Sequence, residues 1–113
     1  EAGSRCAGIC AASMALADAG LAMKDLVAAV SVGRIDDKLV VDLDYNEESY
    51  EDGPVADIPI AMMPNQDKIT LLQMDGLVSK DDLKKVLEMG KKVCKDIYEV
   101  QKKALKDRYG ASK

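Results

Sequence analysis

A short polar motif near the start of the chain has the composition of an anion-binding site. Gly3, Ser4 and Arg5 stand directly before an Ala-rich segment of helical composition. Ser4 is a favourable N-cap, Gly3 lets the backbone come close to a ligand, and open N–H groups at a helix start attract anions. The forked guanidinium of Arg5 suits phosphate. An ordinary capped helix with a surface arginine fits the same residues, so the motif alone leaves both interpretations open.

An acidic segment is the second candidate for chemistry. It holds seven carboxylates in 16 residues: Asp42, Asp44, Glu47, Glu48, Glu51, Asp52 and Asp57. Such a segment can hold Mg²⁺ through one or two direct ligands plus waters, or supply a general acid or base. From spacing alone, a solvated acidic loop is the favoured interpretation. An anion site combined with a metal loop would suit phosphoryl transfer, because a divalent ion steadies the attacking or leaving oxygen.

The three cysteines, Cys6, Cys10 and Cys94, all lie in segments with a helical pattern. Cys6 and Cys10 are four residues apart on one helix face and could form half of a metal site. The chain has no histidine to complete such a site, and small buried cysteines are common, so we interpret both as structural. Free thiols without a secretory signal predict a cytoplasmic location.

Charge is divided unevenly along the 113 residues. The net charge is −4, yet residues 1–78 carry 5 basic and 14 acidic side chains, and residues 79–113 carry 11 basic and 6 acidic. An acidic chain is a poor free-standing nucleic-acid binder, because affinity for a phosphate backbone comes largely from cations. The length fits one domain, and no apolar run is long enough to span a membrane. Because the chain opens at Glu1 on a helix start, we expect a fragment or a processed chain.

Hydrophobic periodicity predicts the order helix, hairpin, hairpin, long helix. The predicted segments are a helix over Arg5–Ala19 stopped by Gly20, a helical turn over Met23–Leu26, a hairpin of Val27–Arg34 and Lys38–Asp44, a loop over Tyr45–Val55, a hairpin of Ala56–Met63 and Lys68–Met74, a long helix from Ser79 to about Tyr109, and a frayed tail from Gly110. Segregated helices and antiparallel strands indicate an α+β layered domain. One sheet edge should remain open to a partner.

Three details of these elements can be tested. The first helix is small and apolar on nearly every face, which predicts burial all round. Pro59 cannot donate a ladder hydrogen bond, so its strand should be an edge or be irregular there. The last helix should begin with Ser79 as its cap, with Asp82 three residues on, and should turn its lysines outward.

Several ordered motifs resemble the RNase PH family. Gly3-Ser4-Arg5 and the helix that ends at Gly20 are similar to the family's Gly-(Thr/Ser)-Arg segment, and residues 23–33 follow at the family's spacing. Asp42-Leu-Asp-Tyr-Asn-Glu-Glu-Ser49 resembles the family's Asp-Leu-Asp-Tyr-x-Glu-Asp-Ser stretch. Residues 56–64 and 69–76 are most similar to the family members that form the catalytic subunits of archaeal exosomes. The resemblance runs from Ala2 to about Tyr109.

The resemblance implies a fold and an activity. The fold would be the C-terminal half of the ribosomal protein S5 domain 2-like α+β fold, so residues 1–113 would form part of a single domain. The activity would be phosphorolysis, a 3′→5′ exoribonuclease reaction in which inorganic phosphate attacks RNA and releases nucleoside diphosphates, assisted by Mg²⁺ or Mn²⁺. Gly3, Ser4 and Arg5 would bind the phosphate. Glu48 and Asp57 would be catalytic and lie at the metal.

The resemblance also implies partners. Family members assemble as rings of six such domains, here alternating with a related RNase PH-like sister subunit, and RNA-binding cap subunits sit on the ring. The N-terminal half of the family domain, which carries RNA-binding arginines, is not in this sequence. We therefore expect the isolated chain not to degrade RNA.

One departure from the family pattern leaves a second function open. The family's catalytic aspartate falls at Glu48, which is one methylene longer, and the loop is about two residues longer around residues 51–55, so Asp52 could substitute. A misplacement of about 1 Å can cost roughly a hundredfold in rate. The alternative is a non-catalytic RNase PH-like subunit that helps to build the exosome ring.

Overall fold

A computed structural model describes residues 3–36, 38–41, 55–76 and 78–109 of the chain. The elements are α1 (Ser4–Asp18), β1 (Ala28–Ile35), β2 (Lys38–Val41), β3 (Val55–Met63), a 3₁₀ turn (Pro64–Gln66), β4 (Lys68–Leu72), β5 (Asp75–Gly76) and α2 (Lys80–Tyr109). The predicted α+β class and the order helix, hairpin, hairpin, long helix are confirmed. The predicted loop over Tyr45–Val55 and the tail from Gly110 lie outside the described residues, except that Val55 already belongs to β3.

The strands form one antiparallel sheet in the order β2-β1-β3-β4, with β5 also paired to β3. β1 pairs with β2 through the first hairpin and β3 pairs with β4 through the second, as predicted. β1 and β3 pair over their full lengths, from Ala28 opposite Met62 to Ile35 opposite Val55. Within the described ranges the outer side of β4 has no neighbouring strand, which confirms the open edge.

The two faces of the sheet follow residue parity in β1 and β3, since successive side chains of a strand point to opposite sides. The even-numbered residues pack against α2 in the larger core: Ala28, Val30, Val32, Ile58, Ile60 and Met62. The odd-numbered residues face α1: Ala29, Ser31, Gly33, Asp57, Pro59 and Ala61. The α2 face is therefore large and aliphatic, whereas the α1 face is small and partly polar.

The long helix α2 has the start and the apolar stripe that its sequence predicts. The Ser79 hydroxyl caps it by accepting a hydrogen bond of 3.1 Å from the Asp82 backbone N–H. Its 30 residues span about 45 Å. Val86, Gly90 and Cys94 lie buried against the sheet. A Cβ added to Gly90 would stand 3.1 Å from Ile60 Cγ2, so the small residue lets the helix approach the sheet closely. No helix in the described part is both long and apolar enough to cross a membrane.

The surroundings of α1 correct the prediction that this helix is buried on every side. The helix was expected to be buried all round, but only Cys6 and Ser13 are buried. It contacts the sheet through a single stripe, and the opposite stripe, which includes Gly8, Ala11 and Ala15, is exposed. Small apolar residues on every side of a helix cannot indicate which side a sheet will cover.

Of the two predicted ends of α1, only the C-terminal end is confirmed. Gly3, and not Ser4, occupies the N-cap position, with φ 78° and no side-chain cap hydrogen bond, so Ser4 is the first helical residue. At the other end, the Gly20 N–H donates to Ala17 O at 3.1 Å and the Leu21 N–H donates to Leu16 O at 3.3 Å. This pair of bonds is a Schellman motif, and it confirms Gly20 as the stop.

The helical turn predicted over Met23–Leu26 is wrong. The segment is an irregular connection whose path is fixed by the side chain of Asp25. One Asp25 oxygen accepts a hydrogen bond from the Leu26 N–H at 2.8 Å. The other accepts from the Asn65 N–H at 2.8 Å. Asp25 can therefore tie this connection to the turn between β3 and β4, a tertiary role that periodicity does not show.

Pro59 lies in a central strand, so the irregularity, and not the edge, is confirmed. The Gln73 N–H donates to Pro59 O at 3.1 Å, which places the backbone polar groups of Pro59 on the side of β4 and β5. On that side Pro59 offers no N–H. Pairing with β3 is interrupted there, between Leu72 at the end of β4 and Asp75 at the start of β5.

Candidate active site

A cleft on the α1 face of the sheet joins two of the predicted site residues. It has a volume of about 590 Å³ and is lined by Arg5, Asp57, Pro59, Gln73, Met74 and Asp75. Arg5 comes from the first turn of α1 and Asp57 from β3. Pro59 comes from the middle of β3, Gln73 and Met74 join β4 to β5, and Asp75 begins β5. The structure thus brings together Arg5 and Asp57, which sequence spacing could not place relative to each other.

The start of α1 forms one wall of the cleft and has the form of an anion site. The first α-helical hydrogen bond runs from the Ala7 N–H to Gly3 O at 3.2 Å. The N–H groups of Ser4, Arg5 and Cys6 therefore precede the hydrogen-bonded ladder, where N–H groups attract anions. No side chain caps them from the Gly3 position. A guanidinium N–H of Arg5 (Nη1) donates to the side-chain carbonyl oxygen of Gln73, which directs Arg5 along the cleft.

Asp57 forms the opposite wall because it is an odd-numbered residue of β3. It pairs with Gly33 in β1 on one side and with Asp75 in β5 on the other. Gly76 makes the β5 pairing possible: its φ is 112°, and a Cβ at this position would stand 2.0 Å from Val55 O. The cleft therefore holds two carboxylates on adjacent strands, both facing the side on which Arg5 enters.

The pKa of the Cys6 thiol depends on its burial and on nearby charges. Burial raises the pKa of Cys6, and the Asp57 carboxylate raises it further, because a negative charge close by disfavours a thiolate. A hydrogen bond with the Ser31 hydroxyl, at 3.5 Å, acts in the opposite direction. Asp57 therefore acts electrostatically on the first turn of α1.

The donor set of the cleft fits a hard divalent cation. Asp57 and Asp75 supply carboxylate oxygens, which are the ligands that Mg²⁺ prefers. No group of three or more acidic, cysteine or histidine side chains suited to a metal occurs in the ranges that the structure describes. Mg²⁺ is commonly held by only one or two carboxylates, with waters and substrate phosphates completing its shell. The cleft contains two carboxylates of the type that Mg²⁺ prefers.

The other predicted site residues have different outcomes. Glu48 and Asp52, like most of the acidic segment, lie outside the described residues. Cys6 and Cys10 pack α1 against the sheet, where the Cys10 thiol lies 3.4 Å from Ala29 O and accepts from the Ala29 N–H at 3.2 Å. These contacts give both cysteines a structural role.

Sequence reasoning missed Gln73 and Asp75 as members of the site. Both were assigned to the second hairpin and its end, and neither residue type is diagnostic alone. The one signal for them is strand parity: Gln73 and Asp75 continue the alternation of Leu71, so they lie on the α1 face opposite Pro59 and Asp57.

Comparison with known proteins identifies the family. Residues 25–93 match the 3′ exoribonuclease family, domain 2. The chain belongs to this 3′ exoribonuclease family. The match covers β1 to β5 and the first half of α2, and it therefore includes Asp57, Gln73 and Asp75. The C-terminal RNase PH fold inferred from the motifs is confirmed.

Individual relatives carry a more specific name. The chain is 52% identical over 110 residues to the exosome complex component Rrp41 of Methanopyrus kandleri, covering 97% of this chain and 45% of that protein. It is 49% identical over 113 residues to the Rrp41 component of Nitrosopumilus maritimus, covering 100% of this chain and 45% of the relative. It is 50% identical over 109 residues to the Rrp41 component of Thermococcus kodakarensis, covering 96% of this chain and 43% of that protein. The chain thus spans less than half the length of these family members.

Proposed function

We propose that this chain is part of an exosome subunit that degrades RNA from its 3′ end by phosphorolysis. The observation that carries the proposal is the meeting of Arg5 and Asp57 in one cleft. An anion-binding helix start and a carboxylate pair within one cleft suit the transfer of a phosphoryl group between two oxygens. The similarity to named exosome components supports the same assignment.

The proposed reaction assigns a task to each wall of the cleft. Inorganic phosphate binds at the start of α1, held by the backbone N–H groups of Ser4 and Arg5 and by the Arg5 guanidinium. A phosphate oxygen attacks the phosphorus of the last phosphodiester of RNA. A new P–O bond forms and the bond to the 3′ oxygen of the preceding nucleotide breaks. That oxygen leaves as a hydroxyl, with the proton that the attacking hydrogen phosphate gives up. The product is a nucleoside diphosphate.

A divalent cation, Mg²⁺ or Mn²⁺, is part of the proposal. When bound it would neutralise charge on the reacting phosphates. Asp57 and Asp75 are the described residues that would hold it, and Glu48 or Asp52 would add a carboxylate. Arg5 favours an anion and the two carboxylates favour a cation, so the one cleft suits both a phosphate and a metal ion.

The proposed assembly explains the exposed stripe of α1. This chain matches less than half of the length of its relatives, and the apolar side chains of Ala11 and Ala15 in this stripe lie at the surface. We assign the N-terminal half of the domain to this stripe. A related RNase PH-like sister subunit completes a ring of six, and cap subunits supply RNA-binding surfaces. Three thiols outside any disulfide support a cytoplasmic setting.

A non-catalytic ring subunit is the second candidate function. It is favoured by one observation, the presence of Glu48 where the family has its catalytic aspartate. Replacing Glu48 by Asp in the assembled complex separates the two functions. The change should raise phosphorolysis if the subunit is catalytic, and it should have no effect if the subunit only builds the ring.

Reconstitution tests the proposed activity. The chain is mixed with the part of the Methanopyrus kandleri relative that it does not match and with a sister subunit, and is then given poly(A) RNA, Mg²⁺ and inorganic phosphate. We expect phosphate-dependent release of ADP from the assembly and none from the isolated chain. Arg5→Ala should abolish the phosphate-dependent release of ADP. Arg108→Ala, which removes an exposed arginine paired with Asp18 at the other end of α1, is the matched control and should retain it.

Two results would contradict the proposal. Assembly without ADP release would favour the ring-building function. Release of AMP in place of ADP, at the same rate with and without phosphate, would indicate hydrolysis and would exclude phosphorolysis at this cleft.

A further inference from the structure

We propose that Gln73 is a positioning residue that holds the Arg5 guanidinium over the cleft as a neutral hydrogen-bond acceptor. The inference rests on the proposed phosphate site and adds a residue to it. Arg5 and Gln73 are 68 positions apart in the chain, yet their side chains are joined by a direct hydrogen bond from Arg5 Nη1 to Gln73 Oε1. Both residues line the same cleft.

The acceptor is attached to a fixed part of the sheet. The Gln73 backbone N–H donates to Pro59 O at 3.1 Å, so its main chain is anchored to β3 although residues 73 and 74 belong to no strand. Gln73 stands opposite Pro59 in the register that β4 and β5 share, so its side chain lies on the α1 face, between Leu71 and Asp75. From there it reaches the first turn of α1. The strand register and the contact with Arg5 thus form one arrangement.

The contact leaves most of the Arg5 guanidinium available. A guanidinium has five N–H donors in a planar fork, and the hydrogen bond to Gln73 engages one of its two terminal nitrogens. The remaining donors can meet two oxygens of a phosphate in the bidentate manner that arginine favours. Gln73 therefore fixes the plane of the fork and does not compete for its whole donor set.

The neutrality of Gln73 matters because of the other charges in the cleft. Among the described lining residues, Arg5 is cationic while Asp57 and Asp75 are anionic. A carboxylate at position 73 would also accept from Arg5, but it would neutralise the guanidinium and repel an incoming anion. An amide oxygen orients the arginine and leaves its positive charge for phosphate.

The expected size of the effect follows from preorganisation. Arginine loses much rotamer freedom when it is fixed by a ligand, and immobilising such a side chain before binding improves affinity by roughly two- to tenfold. Arg5 and Gln73 are both solvent-exposed, so the contact adds little to stability. The role of Gln73 should therefore appear in phosphate affinity and not in the melting temperature.

Titration of the 113-residue chain with inorganic phosphate, followed by NMR, tests the inference. The signals observed are the backbone amides of Ser4 to Cys6 and the Arg5 Nε–H. Gln73→Ala and Gln73→Met, which remove the acceptor, should weaken phosphate binding by roughly two- to tenfold with an unchanged Tm. Gln73→Glu should weaken it further, because it keeps an acceptor but adds a negative charge. Gln66→Ala is the matched control, since Gln66 is an exposed glutamine bonded instead to Lys24 O at 3.3 Å.

The outcomes separate this inference from the proposed function. Unchanged affinity in Gln73→Ala and Gln73→Met, with binding lost in Arg5→Ala, would overturn the role of Gln73 and leave the phosphate site intact. A wild-type chain whose Ser4–Cys6 signals do not respond to phosphate would overturn both. In the assembled complex, the expected signature of Gln73→Met is a raised KM for phosphate with kcat nearly unchanged, which is the mark of lost binding in ground and transition states alike.

Discussion

The two faces of the sheet use the same two strands but carry different kinds of side chain. On the α2 side, Ile58, Ile60 and Met62 are fully buried beneath the long helix. On the α1 side, the alternate positions of the same strand are Asp57, Pro59 and Ala61. One face is filled by large aliphatic groups, and the other retains a cleft that receives Arg5 and two carboxylates.

A single strand can therefore serve both stability and chemistry. Because the side-chain period of a strand is two, β3 places its stabilising residues at even positions and its polar residues at odd positions. Substitutions at even positions should therefore change the free energy of unfolding, and substitutions at odd positions or at the cleft rim should change ligand binding. The following predictions test that separation.

The largest stability effect should come from the α2 face. Ile60 is fully buried and packs near Gly90 and Val32, so Ile60→Ala removes apolar contacts and leaves a cavity. We expect the free energy of unfolding to fall by about 2–5 kcal/mol, measured by urea denaturation. Phosphate-induced NMR shifts at Ser4–Cys6 should persist in the fraction that is folded. Loss of those shifts at a stability near wild type would contradict the separation of the two faces.

Substitution of Gly76 should open β5 at the cleft and leave the main sheet paired. Ala at this position would have to keep a φ of 112° and place its Cβ 2.0 Å from Val55 O, so β5 should detach from β3. The local strain is worth about 1–3 kcal/mol, and it falls on a two-residue strand that carries Asp75. Hydrogen exchange should show opening at β5 and not in β1. Gly8→Ala, where an added Cβ meets nothing within 4 Å, is the control.

The α2 face should also give a pH dependence through Cys94. Burial raises the pKa of this thiol from 9.0 to about 12, because the interior disfavours the thiolate. Its contribution to stability is complete below pH 9 and is lost as pH rises towards 12, since only the unfolded chain ionises readily in that window. The slope should be about 1 kcal/mol per pH unit. Cys94→Ala should lower stability throughout but lose less of it between pH 9 and 11. If wild type and Cys94→Ala lost stability equally steeply between pH 9 and 11, the pH dependence would not come from Cys94.

The smallest effect should come from the start of α2. Ser79→Ala removes the acceptor for the Asp82 N–H and should cost about 1 kcal/mol in urea denaturation. Phosphate binding in the cleft should not change, because Ser79 is not among the residues that line it. A cost near zero would mean that the hydroxyl is replaced by water without loss.

Much of the fold was predictable because its patterns are local. Segments rich in Val and Leu and the turns between strands identified the hairpins, and a repeat at three and four residues identified α2 to about Tyr109. The exposure of α1 was not predictable, because its small residues carry no amphipathic signal. The absence of a helical turn at residues 23–26 depends on hydrogen bonds between Asp25 and Asn65, which belong to tertiary structure.

The candidate site was predictable only in part. Arg5 and Asp57 were identified through family motifs, and each residue alone has an ordinary interpretation. Their meeting depends on the strand register, in which Asp57 lies on the same face as α1. Gln73 and Asp75 lie in the site because their register with β3 puts them on the α1 face, and the sequence alone does not give that register.

The claim that this cleft carries the reaction is tested most directly by replacing Asp57 with Asn. The measurement is phosphate-dependent ADP release by the reconstituted assembly. This change removes the charge of the central carboxylate and preserves its shape. We expect the rate to fall by about a hundredfold or more. Asp67→Asn, at the exposed turn after β3, where Asp67 lies 3.9 Å from Lys91, should retain the wild-type rate. Wild-type release by the Asp57→Asn assembly would contradict the claim that this cleft carries the reaction.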